Sequence, residues 1–149
     1  MDLKTEIRKK TPWHLWIISI FFIFIYAYGV YDYFMMLGHN VDYYNARGYG
    51  ENVVKYFTNY PIPFLILYTT NVLTGLLAPI LLLFKKKIAA SIALVSAVSD
   101  TLLLILTFLF RNRLNVLGIS IAIFDIGIAI ITFGLYFYCN KMKERDILH

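Results

Sequence analysis

The sequence has few charged residues and a single cysteine. Only 15% of its 149 residues are Asp, Glu, Lys or Arg, whereas 60% are hydrophobic and the mean hydropathy is +0.67. A soluble domain carries about 25% charged residues, so this composition excludes the soluble class and indicates a membrane protein. The lone Cys139 excludes an intrachain disulfide and any metal cluster built from several cysteines.

Recognisable catalytic and metal-binding motifs are also missing. The sequence has no Gly-Xaa-Ser-Xaa-Gly elbow, no His-Glu-Xaa-Xaa-His motif and no phosphate-binding loop. His39 and Asp42 are only a two-residue match to a metal site. His14 has no partner histidine at its own depth, so we interpret it, with Trp13 and Trp16, as an aromatic anchor at the membrane interface. We therefore expect no enzyme, no cofactor and no metal.

Four long apolar runs make up most of the chain. A membrane-spanning helix needs about 20 mainly apolar residues, and each run is long enough. The sequence predicts one all-α domain, residues 1–149, folded as an up-and-down bundle of four transmembrane helices. The longest connection, 38–60, is rich in tyrosine and should lie along the membrane surface, with a short helix at about 51–59. The predicted transmembrane helices are approximately 13–37, 61–84, 88–110 and 114–139.

Basic residues predict the orientation. Four Lys or Arg precede the first run, three form the 85–87 turn and three follow the last run, whereas the opposite side carries four in all. The positive-inside rule then places both termini in the cytoplasm. Because the basic residues lie at helix ends rather than on one exposed face, the net charge of +5 does not predict a nucleic-acid partner.

Polar residues inside the runs raise the question of function. They are Asp32, Asn71, Asp100 and Asp125, and no Lys or Arg lies within the runs. Each aspartate at the bilayer centre costs about 2.5–3.5 kcal/mol, which requires a reason. Counting about 1.5 Å per residue from the run ends predicts that Asn71, Asp100 and Asp125 share a mid-membrane level, with Asp32 nearer the outer surface.

Helical periodicity predicts where these side chains point. Two runs carry stripes of small residues that include an aspartate, and such stripes let membrane helices approach closely. Both aspartates should therefore face the bundle interior. On the second run, Asn71 shares a face with Thr74, and Thr70 lies beside them. The stripes are Ala89, Ala93, Ser96, Ala97 and Asp100 on the third run, and Gly118, Ala122, Asp125, Ala129 and Thr132 on the fourth.

Two interpretations of this polar layer remain open. In the first, the aspartates form a packing network with neighbouring amides and hydroxyls, and Asp32 makes a salt bridge with Arg111 or Arg113. In the second, a polar cavity opens toward the outer face, where Asp100 and Asp125 bind a cation, a proton or a polar headgroup. The candidate ligand-binding residues are Asp32, Asn71, Asp100, Asp125, Thr70, Thr74 and Ser96.

One segment resembles a known family. Thr11-Pro12-Trp13-His14-Leu15-Trp16, then Gly29 and Asp32-Tyr33-Phe34-Met35, is similar to small four-helix bacterial membrane proteins, mostly uncharacterised and often labelled "sugar transporter". A weaker similarity to the same family extends to Tyr56-Phe57, Pro61 and Pro63. The resemblance implies a four-helix, multi-pass protein of the bacterial inner (cytoplasmic) membrane.

These observations lead to a functional expectation with alternatives. We expect a transporter or carrier of a polar solute or cation, with the aspartates as binding groups. Four helices rarely enclose a complete transport pathway, so this hypothesis predicts a homo-oligomer in the lipid bilayer. The main alternative is a non-transporting accessory or lipid-binding protein whose polar layer serves helix packing. An intramembrane enzyme acting on lipids is a third alternative.

Overall fold

The computed structural model describes residues 9–149, so Lys4 and Arg8 of the charge count lie outside the described residues. Every regular element in the described part is a helix. Four of these helices, α1, α4, α5 and α7, are long and apolar enough to cross a membrane. This confirms the prediction of an all-α fold with four helices of membrane-spanning length and composition. The helices are α1 (Trp13–Leu37), α2 (Val41–Ala46), α3 (Glu51–Phe57), α4 (Ile62–Leu83), α5 (Ile88–Phe110), α6 (Arg113–Leu117) and α7 (Ile119–Glu144).

Local sequence accounts for several helix starts. Pro12 immediately precedes α1 and Pro61 precedes α4, positions where the missing amide donor has little cost. Asn40 caps α2 by accepting a hydrogen bond from Tyr43 N at 2.9 Å. Glu51 lies in the first turn of α3, where its charge is favourable. The short helix predicted at about 51–59 is therefore present as α3.

The fourth apolar run is broken, contrary to the prediction of one helix over 114–139. Gly118 has a φ of 91° and separates α6 from α7, which then continues to Glu144. A positive φ is strained for residues with a side chain and ends the helix at this glycine. Gly118 is therefore not part of the predicted small-residue stripe, although Ala122, Ala129 and Thr132 of that stripe are buried.

This break changes the depth of Asp125. The side chain is six residues after Ile119, about 9 Å along α7, whereas Asp100 is ten residues before Phe110, about 15 Å from that end of α5. Counted from these helix ends, Asp125 is about 6 Å nearer the loop half than Asp100, whereas the sequence predicted one common level. Asp125 is closer to the level of Asp32, which is five residues before the end of α1.

Each long helix packs against the next long helix in the chain, and side-chain contacts join the first to the last. Helix α4 packs against α1 and α5, and α5 also packs against α7. Helices α1 and α7 are joined by Tyr26 OH and Thr132 Oγ1, 2.6 Å apart, and by His14 Nδ1 and Tyr138 OH, 2.5 Å apart. The ring of Tyr26 lies so close to Gly75 that an added Cβ would be 2.0 Å from it. Gly75 thus permits the close approach of α1 to α4.

One half of the bundle has a dense apolar core, and we call it the packed half. It contains the start of α1, the end of α4, the start of α5 and the end of α7. The C-terminal segment packs below it, since Lys87 N donates to His149 O at 2.9 Å and Lys9 pairs with Asp146 at 3.8 Å. Its most buried side chains, each at most 1% exposed, include Leu15, Leu82, Leu135, Cys139 and Met142.

The other half, the loop half, is covered by the three short helices α2, α3 and α6. A second cluster of buried side chains lies there: Met36, Tyr44, Val53, Tyr56 and Phe57. The outward faces of the long helices are apolar in both halves, with side chains such as Phe24, Phe110 and Ile130 well exposed. Such faces suit contact with lipid acyl chains.

Candidate functional site: a charged cavity in the loop half

A cavity of about 150 Å³ lies between the four long helices and beneath the short ones. Of the candidate residues, Asp32, Asn71, Asp100 and Asp125 line it, and they come from four different long helices. A cavity of this volume holds a molecule about the size of benzene. The structure therefore brings the four intramembrane polar residues to one small space.

The remaining candidates do not line this cavity. Thr74 donates its hydroxyl to Thr70 O at 2.5 Å, on its own helix. Threonines in helices commonly satisfy their hydroxyl groups in this way, and the contact leaves Thr74 no free donor for a ligand. Ser96 is fully buried and donates to Asn71 Oδ1 at 3.0 Å. It therefore orients a cavity residue without lining the cavity itself.

A continuous polar chain crosses the bundle at the bottom of the cavity. Asn71 Nδ2 donates to Asp100 Oδ1 at 3.0 Å, and Asn71 in turn accepts from Ser96. The Ser96 hydroxyl lies 3.4 Å from that of Tyr26, which contacts Thr132. The role of Tyr26 could not be recognised from the sequence. Its position along α1 follows the same spacing as the many lipid-facing aromatic residues around it.

Asp125 is paired with a cation, contrary to the expectation that the intramembrane aspartates have none. Arg113 places both Nε and Nη2 2.9 Å from Asp125 Oδ2, with both side chains less than a fifth exposed. Burial alone would lower the pKa of Arg113, but the adjacent Asp125 raises it above its ordinary value, so the guanidinium stays charged. The partner was missed because Arg113 reaches Asp125 only where Gly118 breaks the helix, and this glycine was the available signal in the sequence.

Asp32 is also paired, although not with either arginine that the sequence suggested. Arg47 Nη2 lies 3.7 Å from Asp32 Oδ1, and Tyr43 OH donates to the same oxygen. The guanidinium of Arg47 lies 4.8 Å from the centre of the Tyr43 ring. Burial, and then the negative charge of Asp32, raise the pKa of Tyr43, which keeps its hydroxyl a donor.

Arg111 has a different role, in the cover of the cavity. Its guanidinium donates to Tyr56 O and lies 4.6 Å from the centre of the Tyr56 ring and 5.5 Å from that of Tyr60. Burial raises the pKa of Tyr60 above its ordinary value. Arg111 therefore ties the end of α5 to α3 and does not reach the aspartates of the cavity.

Asp100 is the carboxylate of the cavity that has no arginine partner in the described part of the chain. The residue is 6% exposed. Its Oδ1 accepts from Asn71, but Oδ2 is buried without a hydrogen-bond partner among the described residues. Leaving a buried acceptor unsatisfied costs about 1–3 kcal/mol, and more for a charged group. The cavity wall thus includes a carboxylate whose second oxygen receives no hydrogen bond from the described residues.

The predicted interface residues lie away from this cavity. Trp13 and Trp16 are 73% and 44% exposed at the start of α1, as expected for anchors at a membrane interface. His14 instead bonds to Tyr138 and links α1 with α7. His39 Nε2 contacts Thr58 Oγ1 at 3.3 Å. Within residues 9–149, no three His, Cys, Asp or Glu side chains are grouped to hold a metal ion.

No family model matches this chain, and neither does any curated protein or any solved structure. The cavity and its charged groups are therefore the observations from which a function can be argued.

Proposed function

We propose that this membrane protein is a carrier for a small polar solute or cation, and that the loop-half cavity binds the solute. The observation that carries this proposal is Asp100, which lines the cavity and whose buried Oδ2 has no hydrogen-bond partner among residues 9–149. A polar network that served only helix packing would be expected to satisfy all its members, because unsatisfied buried groups are costly. Charged residues within membrane helices commonly mark solute pathways.

The shape of the cavity supports access from one side. It reaches from Arg47 and Tyr49 of the loop half down to Asp100 and Ile128, and the packed half lies beneath it. The contact between Tyr26 and Thr132 stands between the cavity and the dense core. We propose that a carrier cycle opens this contact, and that the present arrangement is the state open toward the loop half.

The proposed arrangement in the membrane follows from the charge asymmetry. We propose an up-and-down bundle with both termini in the cytoplasm, so that the loop half faces the outer side of a bacterial inner membrane. Contacts between Lys87 and His149, and between His14 and Tyr138, support one common side for the two termini. Because four helices enclose only a small cavity, we further propose that transport takes place in a homo-oligomer.

Accessibility of a thiol in the cavity tests the binding part of the proposal. Gly29 lines the cavity, and a Cβ added there meets no atom within 4 Å. We expect Gly29→Cys, in a Cys139→Ala background, to react with a membrane-impermeant thiol reagent from the loop side only. Gly134→Cys is the matched control, since Gly134 also has open space but does not line the cavity. Its thiol should stay unreactive in the bilayer.

Uptake into proteoliposomes tests the carrier part. A panel of small polar solutes and cations should include one that protects Gly29→Cys from the reagent and that accumulates in vesicles containing the protein. Asp100→Asn should abolish this uptake. Protection without uptake of any panel member would refute the carrier and favour the accessory or lipid-binding alternative.

A further inference from the structure

We infer that the ligand of this cavity is a small organic monocation, whose protonated amine binds Asp100 Oδ2. The inference rests on the proposed binding role of the cavity, but it does not depend on transport. It follows from the charges, the hydrogen-bond directions, the wall chemistry and the volume of the cavity.

The charges around the cavity are unequal. Three carboxylates line it, and two of them are held by arginines: Asp32 by Arg47 and Asp125 by Arg113. Asp100 is left without a cation among the described residues. Two unit charges attract strongly at short range in a medium of low dielectric constant, so a bound monocation would stabilise the ionised form of Asp100. A neutral solute would not stabilise that form, and an anion would be repelled by it.

The hydrogen bonds around Asp100 leave one direction open. Ser96 donates to Asn71 Oδ1, which orients the amide so that Nδ2 points at Asp100 Oδ1. The second oxygen, Oδ2, has no donor from the described chain. An ammonium group supplies N–H donors, and its charge-assisted bonds to carboxylates are roughly twice as strong as neutral ones. The site therefore lacks a donor and a positive charge at the same atom.

The walls of the cavity suit an organic cation better than a metal ion. Divalent ions such as Ca²⁺ take six to eight oxygen ligands, and Mg²⁺ takes six in near-octahedral geometry. No group of three candidate metal ligands exists within residues 9–149. Aromatic faces and aliphatic side chains, in contrast, accommodate a cation with an alkyl body. The walls include Ile25, Tyr68, Leu104, Ile121, Phe124 and Ile128.

The volume limits the size of the ligand. A cavity of about 150 Å³ is comparable with one that accommodates benzene, so the ligand has about five to eight non-hydrogen atoms. Butylammonium meets this limit, and two molecules of similar size carry a different head group and a different charge. These are 1-butanol, which is neutral, and butyrate, which is an anion.

Calorimetric titration of the purified protein with these three probes tests the inference. We expect butylammonium to bind and the alcohol and the carboxylate not to bind. Asp100→Asn should weaken butylammonium binding by at least about tenfold, because it removes the charge-assisted contact. Asp42→Asn is the matched control: it removes an equal charge in the loop half at an exposed residue that does not line the cavity, and it should bind as the wild type does.

A second variant keeps the test decisive if Asp100→Asn is poorly folded. Gly29→Leu adds a side chain at a cavity position with open space and leaves Asp100 and Asn71 unchanged, so it should fold and block butylammonium. Equal binding of 1-butanol and butylammonium, or undiminished binding to a folded Asp100→Asn protein, would overturn the inference.

The results also separate this inference from the proposed function. If a neutral solute or an anion protects Gly29→Cys and butylammonium does not, the binding cavity stands and the monocation is wrong. If butylammonium binds through Asp100 but no vesicle uptake follows, the monocation stands and the carrier is wrong. Sodium or potassium ions that displace butylammonium at equal concentration would overturn the choice of an organic cation.

Discussion

The two halves of this bundle are built from the same four long helices but differ in what they bury. The packed half buries apolar side chains such as Leu15, Leu82 and Leu135, each at most 1% exposed. The loop half surrounds a cavity with two ion pairs and the unpartnered oxygen of Asp100. Because helices in lipid associate mainly by close packing, the packed half can hold the bundle together while the loop half keeps space for a ligand.

Side-chain size along α5 gives a physical reason for this division. Its first half buries Ala89, Ala93 and Ala97, whereas Leu103 and Leu104 line the cavity in its second half. Alanines let neighbouring helices approach closely, and leucines keep them farther apart. The cavity therefore lies where the small-residue stripe ends.

Breaking the ion pair between Arg113 and Asp125 in the loop half should have the largest effect on stability. Arg113→Met leaves Asp125 without its cation, and removing one partner of a buried pair costs about 3–5 kcal/mol. Asp146→Asn in the packed half breaks an exposed pair with Lys9, and such pairs contribute about 1 kcal/mol or less. Chemical unfolding in detergent measures both changes.

The double variant Arg113→Met with Asp125→Leu serves as the control for this prediction. It removes both charges, so most of the lost stability should return. If Arg113→Met alone unfolds at the same denaturant concentration as the wild type, the pair does not stabilise the loop half.

The same truncation in the two halves should have unequal effects. Leu135→Ala removes contacts from a fully packed site and should cost about 2–4 kcal/mol. Leu104→Ala enlarges a cavity that already exists, so it loses fewer contacts and should cost about half as much. Thermal unfolding of both variants in one detergent gives the comparison. Equal losses would show that the loop half is packed as tightly as the other.

Overpacking the contact between α1 and α4 should have a smaller effect. Gly75→Ala places a Cβ against the Tyr26 ring and must displace it, at a cost of about 1–3 kcal/mol. The shift should also disturb the contact of Tyr26 with Thr132. Gly127→Ala on α7 is the matched control, because its Cβ meets no atom within 4 Å. Thermal unfolding should separate the two alanine variants, and equal midpoints would contradict the close approach at Gly75.

The smallest expected effect is the pH dependence of the loop half. Burial raises the pKa of Tyr43 and Tyr60 above the ordinary value of 10.0. A raised pKa in the folded state contributes stability below pH 10.0, and this stability is lost as the pH rises through the folded pKa. We expect the loop half to become less stable above pH 10, as measured by tyrosinate absorbance and amide exchange. Tyr43→Phe should reduce this dependence, and normal ionisation of all tyrosines near pH 10 would contradict it.

Most of the fold could be predicted from hydropathy, because each apolar run is long and most of its ends are marked by basic residues or prolines. The fourth run was predicted incorrectly, since Leu114 and Val116 are as apolar as the helix that follows Gly118. The inward faces of Asp100 and Asp125 followed from helical periodicity. The roles of Arg47, Arg113 and Tyr26 did not, because their partners are distant in sequence or lie across a turn.

The sequence by itself determined that this is a membrane protein with four long apolar helices, because lipid leaves backbone groups no partners except those within a helix. It also determined that polar residues occur in all four helices. Only the tertiary structure decided which aspartate has no cation among the described residues. That result depends on the helix break at Gly118, which allows Arg113 to reach Asp125, and on the position of Arg47 beside Asp32. Neither depends on local hydropathy, since both result from contacts between separate helices.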